Sequence, residues 1–270
     1  MTLLPSGRPI GPEVNAVPRP LPARVIIDGA YCRLEPLHVR HAPDLWHAAR
    51  TGTPEGDASW DYLGYGPFAS EAALAAHVAA FAATHDPMAW VVRPLTTGRA
   101  TGWLTLMDIQ PAHAAIELGH IWFAPALQRT RAAREAIFLL LRLAADGLGY
   151  RRLVWKCNAH NAPSRRAADV LGFRFEGILR AHYVVKGRLR DTALYSLVGD
   201  EWPPARDALL AWLDAANFDA DGVARRSLGE VRGAPEIATA GNPHPGPLPE
   251  GEGVRALLPL PPGEGWGEGR

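Results

Sequence analysis

Between Ile116 and Phe175 the chain changes hydrophobic period in a fixed order: strand, turn, long helix, strand, a short helix opening on Asn161, then Leu171-Gly172-Phe173. Ala115 to Phe123 has strand character and is closed by Pro125, while Arg131 to Leu148 carries Ala133, Ile137, Leu140, Leu141 and Ala144 on one broad helical face. Gly147 and Gly149 mark the end of that helix, and Arg152 to Asn158 forms the next strand. A turn rich in polar and backbone amides thus follows a strand end twice in close succession, a layout suited to holding a long phosphorylated cofactor.

The flanking segments complete a sheet. Val25 to Ile27 and Cys32 to Leu34 form a hairpin around Asp28-Gly29, and Met88 to Arg93 and Arg99 to Asp108 form another around Thr96-Thr97-Gly98. Phe173 to Leu179, His182 to Lys186 and Leu189 to Leu197 read as strands. Helices are expected from Pro43, from Ser70 and over Trp202 to Phe218. The run Thr51 to Phe68 mixes Gly52, Pro54, Gly56, Gly64, Gly66 and Pro67 with Trp60, Tyr62, Tyr65 and Phe68, which describes a loop with aromatic anchors. The expected class is α+β, a mixed and mostly antiparallel sheet with helices on both faces.

Composition narrows the partners. Lysine plus arginine equals aspartate plus glutamate, 28 against 28, so no net field draws the chain to nucleic acid or an anionic membrane. Two cysteines, Cys32 and Cys157, are far apart and in no metal-ligand spacing, so neither a disulfide framework nor a metal site is expected and a reducing cytoplasm fits. No apolar stretch reaches the roughly 18 residues of a spanning helix. Residues 1–23 form a proline-rich lead-in expected to be disordered, 24–220 the folded domain, and 221–270 a disordered tail rich in proline and glycine. Within that tail Pro247-Leu248-Pro249-Glu250-Gly251-Glu252-Gly253 is echoed by Pro259-Leu260-Pro261-Pro262-Gly263-Glu264-Gly265, which resembles the translation of a repetitive genomic element, with a proline-motif docking tail as the functional alternative.

Three groups of residues could carry chemistry. Gln128-Arg129-Thr130-Arg131-Ala132-Ala133 precedes the long helix, where unpaired amides can receive a diphosphate; an ordinary start capped by Thr130 explains the same residues. Asn161 caps the short helix, with Pro163 in its first turn, and could also orient a cofactor arm; Ser164 reads equally as an ordinary first-turn serine or as a hydroxyl near a departing sulfur. Glu117 lies in a central strand whose alternation puts Ile116, Leu118, His120 and Trp122 on one face and Glu117, Gly119, Ile121 and Phe123 on the other. A carboxylate among apolar neighbours should have its pKa raised toward neutrality, useful for taking a proton from an ammonium; His120 is the competing base.

Together, Glu117-Leu118-Gly119-His120-Ile121-Trp122, the Gln128 to Ala133 turn, Asn161-x-x-Ser164 with Leu171-Gly172-Phe173, and Gly187-Arg188-Leu189-Arg190-Asp191 resemble the GNAT superfamily, in particular its RimJ/RimL-like branch of ribosomal-protein N-terminal acetyltransferases. The likeness covers roughly Arg24 to Phe218. It implies a seven-stranded sheet whose strands at Glu117 and Trp155 splay apart around acetyl-CoA, with CoA as product and no metal. It further implies backbone groups of Ile121, Trp122 and Phe123 along the pantetheine arm, amides of Arg129 to Ala133 at the pyrophosphate, Asn161 on the arm, Ser164 as acid for the thiolate, and Trp60, Tyr62, Tyr65 and Phe68 on the acceptor side.

Arg131 stands where the family turn has a glycine, so its side chain either narrows the phosphate cradle or supplies donors of its own. The implied reaction is direct acetyl transfer to a primary amine, foremost a protein N-terminus. Alternatives are a small amine, such as an amino sugar, polyamine or amino acid, and a non-catalytic acyl-CoA-binding module. The implied assembly is a monomer or homodimer.

Overall fold

The computed structural model describes residues 2–233. A two-residue pairing, β1 (Thr2–Leu3) with β2 (Pro9–Ile10), precedes the main sheet. The strands of that sheet are β3 (Ile27–Asp28), β4 (Cys32–Pro36), β5 (Met88–Pro94), β6 (Gly102–Gln110), β7 (Ala115–Phe123), β8 (Arg152–Asn158), β9 (Arg174–Val185) and β10 (Arg188–Val198), in spatial order β3-β4-β5-β6-β7-β8-β10-β9. The sheet therefore has eight strands rather than the expected seven. They include the two-residue β3, expected from the sequence as one arm of the first hairpin, which pairs with β4 through Ile27↔Leu34 and Asp28↔Arg33. The segments expected as two strands over Phe173 to Lys186 run as the single strand β9. Every pairing is antiparallel except β7 with β8.

Helices α1 (Ala42–Ala49), α2 (Pro54–Ala58) and α3 (Glu71–Ala83) precede β5; α4 (Arg131–Arg142), α5 (Ala162–Leu171), α6 (Trp202–Leu213) and α7 (Leu228–Val231) follow β7. On one face, Leu45 and Ala49 of α1 and Leu74, Val78 and Phe81 of α3 pack with Trp60, Trp103 and Trp122. On the other, α4 contributes Ala136, Phe138, Leu140 and Leu141, joined by Leu171, Trp202 and Leu209. The four-residue spacing of Leu74 and Val78, followed by Phe81, explains why an alanine-rich helix sits firmly: three large side chains align on one stripe. Helix α4 ends earlier than its periodicity suggests, passing into a π turn over Leu143–Gly147.

A buried carboxylate ties α4 to the first hairpin. Glu135 accepts backbone N–H bonds from Ala30 (2.7 Å) through Oε1 and from Tyr31 (2.7 Å) and Cys32 (2.8 Å) through Oε2. Gly29 has to be glycine here, because a Cβ on it would stand 2.5 Å from Glu135 Oε2.

The lead-in touches the domain through Arg19 N–H to Pro111 O (3.0 Å) and Tyr150 Oη to Pro20 O (3.1 Å). At the other end, packing continues past residue 220. Leu228 of α7 is buried, and Arg232 donates to the last-turn carbonyls of α5 at Asp169 (2.8 Å), which Gly172 N–H also reaches, and at Val170 (3.1 Å). A chain ending at Ala220 is expected to be less stable than one ending at Gly233 by about 2 kcal/mol, the worth of one buried leucine with its cap, read from urea unfolding. The repeat at Pro247 lies outside the described residues.

Candidate active site

The site begins with a bulge in β7. Between the pairs Trp103↔Trp122 and Thr105↔Gly119, β6 advances by one intervening residue and β7 by two. The extra residue is absorbed at His120, whose φ of 46° is left-handed. This overturns the alternation expected along the strand. Ile116 and Leu118 pack on the α4 side, but after the bulge Ile121 and Phe123 take that side and Trp122 turns to the opposite core.

Beyond the bulge β7 also leaves its neighbour. The parallel pairing with β8 consists of Ala115↔Arg152, Ile116↔Leu153 and Glu117↔Val154, and none continues past Glu117. The parted strands frame a cleft of about 400 Å³ lined by Glu117 to Ile121 of β7, Trp155 to Asn158 of β8, Ser164 of α5 and Asn161, which caps that helix. Its other walls are the loop bearing Ser59, Tyr62, Leu63 and Gly64 and the β9–β10 hairpin with Tyr183, Val184, Val185 and Arg190. Two contacts pin these walls together: Lys186 Nζ donates to Trp60 O (2.9 Å), and Tyr62 Oη to His160 O (3.2 Å).

Glu117 is 5% exposed and faces this cleft. Lys156 Nζ stands 2.7 Å from its Oε2, off the line of a well-directed hydrogen bond, and also pairs with Asp108. Burial pushes Glu117 up to about 7, with Asp108 adding to the rise, and the ammonium of Lys156 only partly offsets it. His120 moves the other way: burial, with the charges of His77 and Arg190, holds its pKa below the ordinary histidine value. Its Nδ1 lies 3.3 Å from Tyr65 Oη, which also accepts from Trp103 Nε1 (3.2 Å). Near neutral pH the cleft therefore holds an uncharged histidine and a carboxyl group poised to accept or release a proton.

On the opposite wall, Asn161 Oδ1 accepts from Ser164 N–H (3.1 Å), capping α5, and Ser164 Oγ accepts from Trp155 Nε1 (3.1 Å). Because the hydroxyl oxygen is engaged as an acceptor, its proton is left to donate.

The turn from Gln128 to Ala133 lies outside the lining of this cleft, at the start of α4. Thr130 caps the helix, its Oγ1 accepting from Ala133 N–H (3.1 Å), and Arg129 takes a left-handed φ of 62°. Gln128 Nε2 donates to Phe123 O (2.9 Å). The amides of Arg131 and Ala132 have no hydrogen-bond acceptor among the described residues, which is the state an anion-binding helix start requires. Arg131 does not supply donors there. Its guanidinium lies between the rings of Tyr31 (3.6 Å) and Phe218 (3.8 Å) and donates to Leu213 O, so the side chain is drawn away into the protein.

The acceptor-side aromatics separate. Trp60 is fully buried and stacked on Trp122 at 4.2 Å, with Phe68 edge-on at 5.3 Å, so these rings build the wall from behind. Tyr65 backs His120, and of the four only Tyr62 lines the cleft. Lys156, Asp108 and the cleft-facing position of Arg190 were not anticipated from sequence. The Glu117↔Val154 register brings Lys156 into reach, and no local pattern encodes it.

The chain matches the family described as acetyltransferase (GNAT) domain over residues 32–174. Among solved structures it is similar to a GCN5-related N-acetyltransferase from Brucella melitensis, with a TM-score of 0.78 and 41% identity over 81% of this chain and 99% of that one. A probable GNAT-family acetyltransferase from Chromobacterium violaceum ATCC 12472 aligns with a TM-score of 0.65 and 40% identity over 72% of this chain and 98% of that one. RimL, the ribosomal L7/L12 alpha-N-protein acetyltransferase, shares the fold at a TM-score of 0.55 and 21% identity, over 68% of this chain and the whole of its own. No protein of curated function matches the sequence. The splayed β7–β8 pair, the open helix start at α4 and the match over most of the domain lead to one conclusion: the chain belongs to the GNAT family of N-acetyltransferases.

Proposed function

We propose that this enzyme acetylates the α-amine of a polypeptide from acetyl-CoA, with Glu117 as the base. The observation that carries the chemistry is the buried carboxyl group of Glu117 facing the cleft at the point where β7 and β8 part, where burial pushes its pKa up to about 7. Acetyl-CoA would bring a thioester into the cleft. The free amides of Arg131 and Ala132 suit its pyrophosphate, the backbone of Ile121 to Phe123 and the side chain of Asn161 suit the pantetheine arm, and the Ser164 hydroxyl suits protonation of a thiolate. Glu117 would relieve the incoming ammonium of its proton, and the fixed walls would align amine and thioester.

A polypeptide acceptor is favoured by the rim. Exposed apolar side chains continue outward from the cleft at Tyr62, Tyr183 and Val184, offering contact for residues beyond the amine that a small acceptor lacks. RimL, which shares the fold, is named for such a reaction. The two cysteines are buried and unbridged, in keeping with a reducing cytoplasm. No helix among the described residues is long and apolar enough to cross a membrane.

The test is release of CoA with tetrapeptides bearing a free N-terminus, the same peptides N-blocked, and a set of polyamines, amino sugars and free amino acids. Turnover of the free-amine peptides at a kcat/KM at least about 10-fold above any small amine is the expected result. The reverse order would overturn the polypeptide reading.

A further inference from the structure

Charge in the cleft is paired unevenly. Glu117, the acid in its lining, and the neighbouring Asp108 are both engaged by Lys156. Arg190, at the start of β10, lines the same cleft and has no carboxylate partner among the described residues. Its Nε is enclosed without an acceptor, and its guanidinium rests over the ring of Tyr183 at 5.5 Å. The adjacent acid, Asp191, faces elsewhere, its Oδ1 accepting from Ala181 N–H (2.7 Å). The charge of Arg190 is felt across the cleft, where it contributes to the lowered proton affinity of His120. A cation held in a partly dry cleft without a counter-ion carries a desolvation cost that an entering anion would relieve, and a guanidinium fork suits a carboxylate in particular.

The phosphates of acetyl-CoA are not the natural partner, since the open amides suited to them lie at the start of α4, outside this lining. We infer that Arg190 receives an anionic group carried by the acyl acceptor, so that the preferred substrates are amines bearing a carboxylate; for a polypeptide this is an acidic side chain close to the N-terminus. The inference rests on the acetyl-transfer reading for its meaning, but it can be tested apart from turnover.

The experiment pairs Ala-Glu-Ala-Ala-amide with Ala-Gln-Ala-Ala-amide, and free alanine with alaninamide. Each is measured twice: by calorimetry on the CoA-loaded enzyme, and by CoA release from acetyl-CoA. Wild type is expected to favour the acidic peptide by about 10-fold or more in both Kd and KM. Arg190→Gln should erase that preference, and Arg190→Lys should retain part of it. A preference confined to free alanine over alaninamide would assign the anion to an amino-acid carboxylate, keeping the role of Arg190 and changing the source. Equal behaviour within both pairs in wild type, or a preference that survives Arg190→Gln, would overturn the inference. So would an equal loss of kcat for every acceptor, which would place Arg190 at the leaving thiolate. Discrimination in binding without CoA release would leave the inference standing and overturn acetyl transfer instead.

Discussion

Glu117→Gln is expected to lower kcat/KM by about 100-fold at pH 8, within the usual contribution of a positioned general base, while acetyl-CoA affinity stays nearly constant. The pH profile separates this role from others. With its pKa raised to about 7, Glu117 is mostly protonated at pH 6 and mostly ionised at pH 8, so wild-type kcat/KM should rise through pH 7 and then level. In Glu117→Gln that limb is replaced by one that follows the ionisation of the acceptor amine, near 8 for an α-amine, because without the base only the free amine reacts.

Stability moves in the opposite sense. Glu117 loses its proton near 4.5 in the unfolded chain and near 7 in the folded one, so between those values the folded state binds more protons. Stability contributed by this group is therefore lost as pH rises through that window, and the amide escapes the loss. Glu117→Gln should unfold at or above the wild-type Tm at pH 8. A variant that lost activity together with Tm, or that kept the limb near pH 7, would remove Glu117 from its role as base.

The largest effect on stability is expected at Glu135. Substitution by alanine strands the amides of Ala30, Tyr31 and Cys32 beneath α4 and should cost about 3–5 kcal/mol in urea unfolding. Glu135→Gln keeps one acceptor oxygen and should cost less. Tyr31, held by this clip, is one of the two rings enclosing Arg131, so the hairpin also steadies the start of α4. Equal stability of Glu135→Ala and wild type would mean that the three amides find other partners.

Local signals in the sequence carried over well to the structure. Asn161 caps α5 as its position before Pro163 implies, Thr130 caps α4, and Gly172 closes α5 with a left-handed φ of 103°. Each depends on interactions within four residues, which a linear reading can follow. Glu117 was also legible, because a carboxylate inside an apolar strand has few inexpensive environments.

The remainder depended on register. One additional residue at His120 moves Trp122 to the other face, and neither residue type announces it. Lys156 and Asp108 meet Glu117 from β8 and β6, and Arg131 meets Tyr31 and Phe218 from opposite ends of the domain. Trp60 resembled a contact residue because it sits among glycine and proline; its stacking on Trp122 is a tertiary fact. Sequence motifs located the cleft, whereas its charges are set by pairings between elements distant in the chain.

The central claim is that the parted β7 and β8 receive the thioester, and a crystal structure of the enzyme with acetyl-CoA tests it most directly. The account predicts the acetyl group between Ile121 and Ser164, facing Glu117, with the pyrophosphate on the amides of Arg131 and Ala132. Acetyl-CoA bound elsewhere on the domain, or β7 and β8 closed together without it under saturating conditions, would contradict it.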